Sequence, residues 1–440
     1  MKLKCPPAIL SGAVLSLLAG SALAAPPPKP APTPAPAAKP APAPAPAATP
    51  PAAAKTVKIS DDVIKVGVLT DMSGLYSDLA GQGSVVAAQM AIDEATGGTG
   101  KLLGKKVELV SADHQNKADV ASSKARTWFE VEKVDGIFDL TNSATALAVQ
   151  ELGKSMNKVV VVSGAGSTAL TGKSCSPTGI HWMYDTYALA TGTGSAVLKE
   201  GGDSWYFLTA DYAFGQSLEA DTTTIIKAKG GKVLGVSRHP LNTSDFSSYL
   251  LQAQSSKAKI LGLANAGGDL INSVKQAKEF GLTDSGMKLA GLLVFISDIN
   301  SLGLDTTQGM YLTEGFYWDL DDKSRAWSKG FFDKQKKEPT MVQAGVYSSI
   351  YNYLKAVEAT GTDDSAAVIQ YLKSITINDP VIRNGKLRDD GRLTHDMYLF
   401  QVKKPSESKK PWDYYTVKQT IPGDQAAKPL SASECPLVKK

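Results

Sequence analysis

A rhythm of strand, loop and helix runs through most of this chain, and it restricts the available folds more than any other feature. Val63 to Leu69 reads as a strand, followed by a polar loop from Thr70 to Asp78. Val85, Ala88, Ile92 and Ala95 then recur at helical spacing. Val107–Val110 is the next strand, and Ala121, Ala125, Trp128 and Phe129 mark the helix after it. Gly136–Leu140 is a third strand, with Ala144, Leu147, Ala148 and Leu152 on one helical face behind it. Val159–Val162 is apolar throughout, as expected of a strand buried on both faces. The pattern restarts at Trp205–Leu208 and continues through Val233–Val236, Ile260–Leu263 and Leu289–Val294, with helices around Tyr249–Ala253 and Ile271–Phe280. Strands alternating with helices of this length predict parallel sheets covered on both faces, and two such runs predict two doubly wound α/β lobes. Beyond Tyr317 the stripes Tyr347, Ile350, Tyr351, Leu354, Val357 and Ala367, Ile369, Leu372, Ile375 predict two helices. Leu387, Tyr398–Val402 and Tyr414–Val417 then read as short hairpin strands.

The first part of the 440-residue chain lies outside this rhythm. Lys2 and Lys4, an apolar run from about Ile9 to Leu18, and the small residues up to Ala24-Ala25 have the layout of an export signal. The run is too short for a membrane span, which needs roughly 20 residues. Residues 1–24 are therefore expected to be a cleaved signal peptide. No Cys follows the small residues, so a lipid anchor is not expected, and the periplasm is the expected destination. Residues 25–56 hold almost nothing but Pro and Ala, a composition for a semi-extended spacer. The net charge of +4 is small, and no basic stripe or aromatic-interleaved Lys/Arg face is present, so nucleic acid is not an implied partner. Two Cys remain beyond the signal, Cys175 and Cys435. In an oxidising compartment they are candidates for a bridge; two buried thiols are the alternative.

Ligands of open parallel sheets bind beyond the carboxyl ends of the strands, so the loops that follow strands are where function is expected. The first lobe offers Ser73 and Tyr76 after its first strand, Asn142, Ser143 and Ala144 after its third, and Ser163, Gly164 and Ala165 after its fourth. Hydroxyls and free backbone N–H groups at helix starts favour an anion. The plainer explanation is that Asn142, Ser143 and Ser163 cap helices. The second lobe offers Tyr212, Asn265 and Phe295 in the matching loops, with aromatic surface for stacking. An enzyme is disfavoured. His114, His181, His239 and His395 are isolated, with no metal-ligand spacing, and there is no nucleophile elbow, phosphate loop or dinucleotide fingerprint. No cofactor or metal is expected.

Val66 to Asp93, including Ser73-Gly74-Leu75-Tyr76, resembles the opening of the branched-chain-amino-acid type of periplasmic binding protein, the type I fold of ABC-transporter solute receptors. Ser163–Ser167, Asp211–Gly215, Asn242–Phe246 and Gln276–Gly281 resemble further segments of that family, in the same order. The resemblance implies two doubly wound lobes joined by a three-strand hinge, closure on a ligand, and delivery to separate permease subunits by a monomer. By position, the first lobe would be Val57–Asp185 with Tyr317–Arg383, and the second Thr186–Phe316 with residues 384–440. Amino-acid receptors of this family hold the ligand carboxylate with first-lobe hydroxyls and N–H groups, and the ammonium with an acid after a second-lobe strand. Here that strand runs into Phe295-Ile296-Ser297, apolar where the acid is expected. A buried ammonium without a partner is heavily penalised. The expected ligand is therefore a small carboxylate without an ammonium, an aromatic acid of the benzoate or phenylpropenoate type. Branched-chain amino acid uptake remains open, because Asp211, Asp269 or Asp298 lies nearby in sequence. So does a sensing rather than a transporting role.

Overall fold

The computed structural model describes residues 26–29 and 57–439. The expected signal peptide lies outside the described residues, as does all of the Pro/Ala segment except Pro26–Lys29. Strands β1 (Val63–Thr70), β2 (Lys101–Leu102), β3 (Lys105–Asp113), β4 (Gly136–Asp139), β5 (Val159–Val162) and β6 (Gly179–His181) form a six-stranded sheet in the order β2-β3-β1-β4-β5-β6. All pairings in it are parallel except β2 with β3. Strands β7 (Ser204–Ala210), β8 (Lys232–His239), β9 (Ile260–Ala264) and β10 (Lys288–Gly291) form a second, all-parallel sheet in the order β10-β9-β7-β8. The chain leaves β1 for β3 on one side and returns to place β4 on the other, and it does the same around β7. Each sheet thus has a switch point where its strand order reverses, between β1 and β4 and between β7 and β9.

Helices α1 (Gly81–Ala95), α2 (Ala118–Glu130) and α3 (Ser143–Met156) connect the first sheet. A segment from α4 (Thr186–Leu189) through a π-helical turn at Ala190–Gly194 to α5 (Ser195–Lys199) crosses to the second sheet. There α6 (Ala213–Ala228), α7 (Ser247–Ser255), α8 (Gly267–Glu279), α9 (Ile296–Leu302) and α10 (Leu304–Thr307) take over. The chain then returns through β11 (Tyr311–Glu314) to α11 (Asp322–Gln335), α12 (Met341–Thr360) and α13 (Ser365–Ser374). Helix α12 packs against α1 and β4 of the first sheet, while α2 and α3 pack together in a separate apolar cluster that includes Trp128 and Ile137. The first sheet is therefore covered on both faces, which accounts for its unbroken apolar strands. Thr340 and Gln343 form a capping box at the start of α12, and Gly361 closes its far end in a left-handed conformation.

The sequence pattern located the strands well but misjudged one end. The run Leu289–Val294 is strand only as far as Gly291, because the ladder with β9 stops at the Leu263–Gly291 pair. Leu292 to Phe295 form a buried apolar loop leading into α9. Strands β6 and β11 carry no strong pattern of their own and were not anticipated. The C-terminal strands β12 (Lys386–Leu387), β13 (Leu393–Thr394), β14 (Met397–Val402) and β15 (Tyr415–Ile421) form two antiparallel pairings, and β14 also pairs with β11. The chain ends with the short helix α14 (Gly423–Ala426) and an irregular tail.

A disulfide and a buried ion pair are among the interactions that hold the late segments against the early ones. Cys175 and Cys435 are joined by a disulfide, with their Cα atoms 5.6 Å apart. Arg392 donates through Nε to Asp185 at 2.9 Å, and its Nη1 reaches the carbonyls of His181, Trp182 and Leu393. Both charged side chains are 3% exposed. A buried pair this well supplied with hydrogen bonds costs most when only one partner is lost. Arg392→Met is therefore expected to destabilise the protein by about 3–5 kcal/mol, measurable by urea unfolding. Mass spectrometry of unreduced protein should find the Cys175–Cys435 peptide pair linked, with no alkylatable thiol at either position. Its reduction should remove up to about 5 kcal/mol, given the length of chain it closes.

Candidate functional site

The switch points of both sheets open into one cavity. It is lined by Tyr76 and Leu79 after β1, Thr141 after β4, and Gly164, Gly166 and Tyr184 after β5 and β6. From the second sheet come Tyr212 and Phe214 after β7, Ala266 after β9, and Leu293 and Phe295 after β10. The cavity volume between these walls is about 10 Å³, far below the roughly 300–1,000 Å³ of sites for drug-sized molecules. The walls stand nearly in contact in this conformation.

Its walls are largely aromatic, and its polar groups are neutral. The Tyr76 and Tyr212 hydroxyls hydrogen-bond at 2.6 Å across the cleft, and Tyr184 donates to the Gly164 carbonyl at 2.6 Å. Burial raises the pKa of all three phenols, so they remain protonated. Tyr184 meets Phe295 edge-on with ring centroids 6.4 Å apart, and Tyr212 tilts against Phe214 at 6.0 Å. Behind Thr141 stands His114, whose Nε2 lies 3.2 Å from the Thr141 hydroxyl. Burial lowers its pKa to about 4, which leaves the ring neutral.

The structure brings together four of the residues singled out from the sequence, Tyr76, Gly164, Tyr212 and Phe295, as cavity lining. Ala165 and Ser163 lie in the same buried loop as Gly164. The backbone N–H groups of Ala165 and Gly166 donate to nothing within the described residues. Asn142 caps α3, its side chain accepting from the Ala144 and Thr145 N–H groups, and the Ser143 hydroxyl accepts from Ser167 N–H. Ala144 is half-buried on the first turn of that helix. The capping explanation thus holds for Asn142, yet its Nδ2 is left over. Together with Ser163 Oγ, Asn265 Oδ1 and Ser297 Oγ, it is buried without a protein partner. Such a group costs about 1–3 kcal/mol unless something binds it. Ser73 stands apart: it is exposed, and its hydroxyl donates to Asp113 at 2.6 Å. Asn265 donates to His239 and Ser273 and sits one residue from the lining. Sequence reasoning did not single out Leu79, Thr141, Gly166, Tyr184, Phe214, Ala266 and Leu293. Tyr184 follows a three-residue strand too short to register as a period, so only the topology places it here.

The acids considered as ammonium partners are engaged elsewhere. Asp298 accepts the Phe295 N–H at 2.9 Å. Asp269 accepts those of Asn242 and Thr243 at 3.2 and 3.0 Å. Asp211 is exposed and accepts from Gln216.

The cleft is closed by backbone. Gly268 N–H donates to the Leu75 carbonyl at 3.1 Å, and a Cβ on Gly267, whose φ is +56°, would stand 2.4 Å from that same oxygen. Any larger residue at 267 would hold the two sheet ends apart. Gly267→Ala should therefore weaken ligand binding at least tenfold, a loss of about 1.4 kcal/mol, while leaving a folded protein with a larger radius in solution scattering.

Two sheets whose switch points face each other across an apolar cleft with unpaired neutral donors define a solute-binding protein. The family model for periplasmic binding proteins matches residues 63–409, and the chain belongs to that family, whose members bind solutes and are not enzymes. It is similar to a periplasmic binding protein of Burkholderia mallei, with 55% identity, a TM-score of 0.84, and coverage of 86% of this chain and all of that one. A branched-chain amino acid ABC transporter periplasmic ligand-binding protein of Burkholderia xenovorans is 44% identical, with a TM-score of 0.76 and coverage of 86% and 100%. An ABC-transporter solute-binding protein of R. palustris, solved with 4-hydroxybenzoate, shares the fold at 24% identity, a TM-score of 0.73 and coverage of 82% and 97%. Among the described residues no helix is long and apolar enough to cross a membrane.

Proposed function

We propose that this protein is the substrate-binding component of an ABC importer, that it captures a small aromatic carboxylate in the periplasm as a monomer, and that it hands the ligand to a membrane permease. One observation carries the reading: the cavity is walled by Tyr76, Tyr184, Tyr212, Phe214 and Phe295, and the nearby acids Asp211, Asp269 and Asp298 already hold other groups. A flat, uncharged ring fits such walls, whereas an ammonium would find these three acids already engaged. The free N–H groups of Ala165 and Gly166, with Asn142 Nδ2 and Ser163 Oγ nearby, suit the carboxylate end. The fold accommodates such a ligand in the R. palustris protein. Benzoate or a phenylpropenoate is the expected ligand class.

The Burkholderia xenovorans relative, a branched-chain amino acid ABC transporter periplasmic ligand-binding protein, supports the second reading, a branched-chain amino acid. Calorimetry with benzoate, 4-hydroxybenzoate, coumarate, leucine and valine separates the two. The aromatic acids are expected to bind 1:1, and leucine and valine to give no heat. Tight leucine binding with no response to the aromatic acids would sink the reading. Tyr212→Ala should cost about 1–3 kcal/mol of affinity, the scale of one lost aromatic surface.

A further inference from the structure

Asp139 ends β4 with a φ of +82°, in the left-handed region that residues other than Gly rarely enter. Its side chain is fully buried, and neither carboxyl oxygen has a hydrogen-bond partner. Backbone strain, burial and an unpaired acid each carry a penalty, and packing alone explains none of them. Its position is informative. The Asp139 carbonyl accepts the N–H groups of Ser163 and Gly164 at 3.0 and 3.1 Å, tying it to the loop that lines the cavity. Its carboxyl lies against Gly164, where an added Cβ would stand 2.7 Å from Oδ1 and 2.7 Å from Thr141 Cγ2. Gly164 and Thr141 both line the cavity, so the carboxyl is one residue removed from the ligand. No Lys or Arg is among the lining residues, so an anion there is held by neutral donors alone.

We propose that Asp139 is a specificity-determining residue, kept as a neutral acid beneath the carboxylate end of the site, and that ligand capture requires it to hold its proton. The proposal rests on the carboxylate reading above. An ionised Asp139 would set two anions against each other in a site with no cation; a protonated one removes the repulsion. The surroundings favour the neutral form. Burial pushes the Asp139 carboxyl up to about 7, and the charge of Asp71, from the loop after β1, pushes the same way. The hydroxyls of Thr70 on β1 and Ser84 on α1 face it and offset part of that rise, without closing a hydrogen bond to either oxygen. Tyr184, across the loop, remains a neutral phenol. For a group with a raised carboxyl pKa the neutral form dominates below about 7, so affinity for an anion is retained at lower pH and lost as the pH rises through that value.

The test is calorimetry with benzoate and 4-hydroxybenzoate from about pH 5.5 to about pH 8.5, on the wild type and on Asp139→Asn, whose amide is neutral throughout. Wild-type affinity should fall by up to about tenfold per pH unit above about 7, and Asp139→Asn should bind with little dependence on pH. A flat wild-type profile, or the same slope in the variant, would overturn the proposal while leaving the aromatic-acid reading intact. Affinity that rises with pH for leucine would overturn it in favour of an ionised Asp139 paired with an ammonium. No response to either aromatic acid at any pH would remove the parent reading and the coupling with it. The Asp139 carboxyl carbon, followed by NMR in the ligand-free wild type, gives a measure independent of the variant's folding. A midpoint near neutrality supports the proposal, and one near the ordinary carboxylate value overturns it.

Discussion

The contact between Gly268 N–H and the Leu75 carbonyl governs the rest of the site. A backbone-to-backbone hydrogen bond across the cleft is possible only if no side chain intervenes, and Gly267 and Gly268 provide that. With the two sheet ends at this distance, the Tyr76 and Tyr212 hydroxyls fall within 2.6 Å of each other, and the aromatic rings behind them enclose the space between. The cavity is thus a product of chain approach first and of side-chain choice second. Its chemistry then follows from which groups are left unpaired once the sheets have met. Asn142 Nδ2, Ser163 Oγ and Asn265 Oδ1 lie on segments that follow strands, and Ser297 Oγ on the first turn of α9.

Much of the fold was legible because a parallel sheet covered on both faces demands continuous apolar strands. Val159–Val162 and Ile260–Leu263 announce themselves in that way. The same demand misled at Leu289–Val294, where a buried loop must also be apolar, and hydrophobicity alone cannot mark where a ladder ends. The cavity residues Tyr76, Gly164, Tyr212 and Phe295 were within reach because binding at the ends of parallel strands is a property of the topology. Tyr184 was not, because it enters through a crossing segment whose position depends on tertiary packing. Ser73 illustrates the converse: a hydroxyl in the right loop that turns outward to Asp113.

The neutral character of the lining also bears on selectivity. With phenols held protonated by burial and a neutral His114 behind Thr141, the site offers hydrogen bonds without a full opposing charge. Discrimination among ligands then rests on shape and on whether every buried donor finds an acceptor, since a single unmatched donor costs as much as a lost contact. Asp139 departs from this pattern: it stands beside the lining and its charge changes close to neutral pH, as does that of Asp298 behind Phe295.

Arg392 has a mechanical consequence. It sits on a late segment and grips Asp185, where the chain first leaves the six-stranded sheet for the four-stranded one. Two crossing segments clamped at one point rotate together about a shared axis and resist twisting past each other.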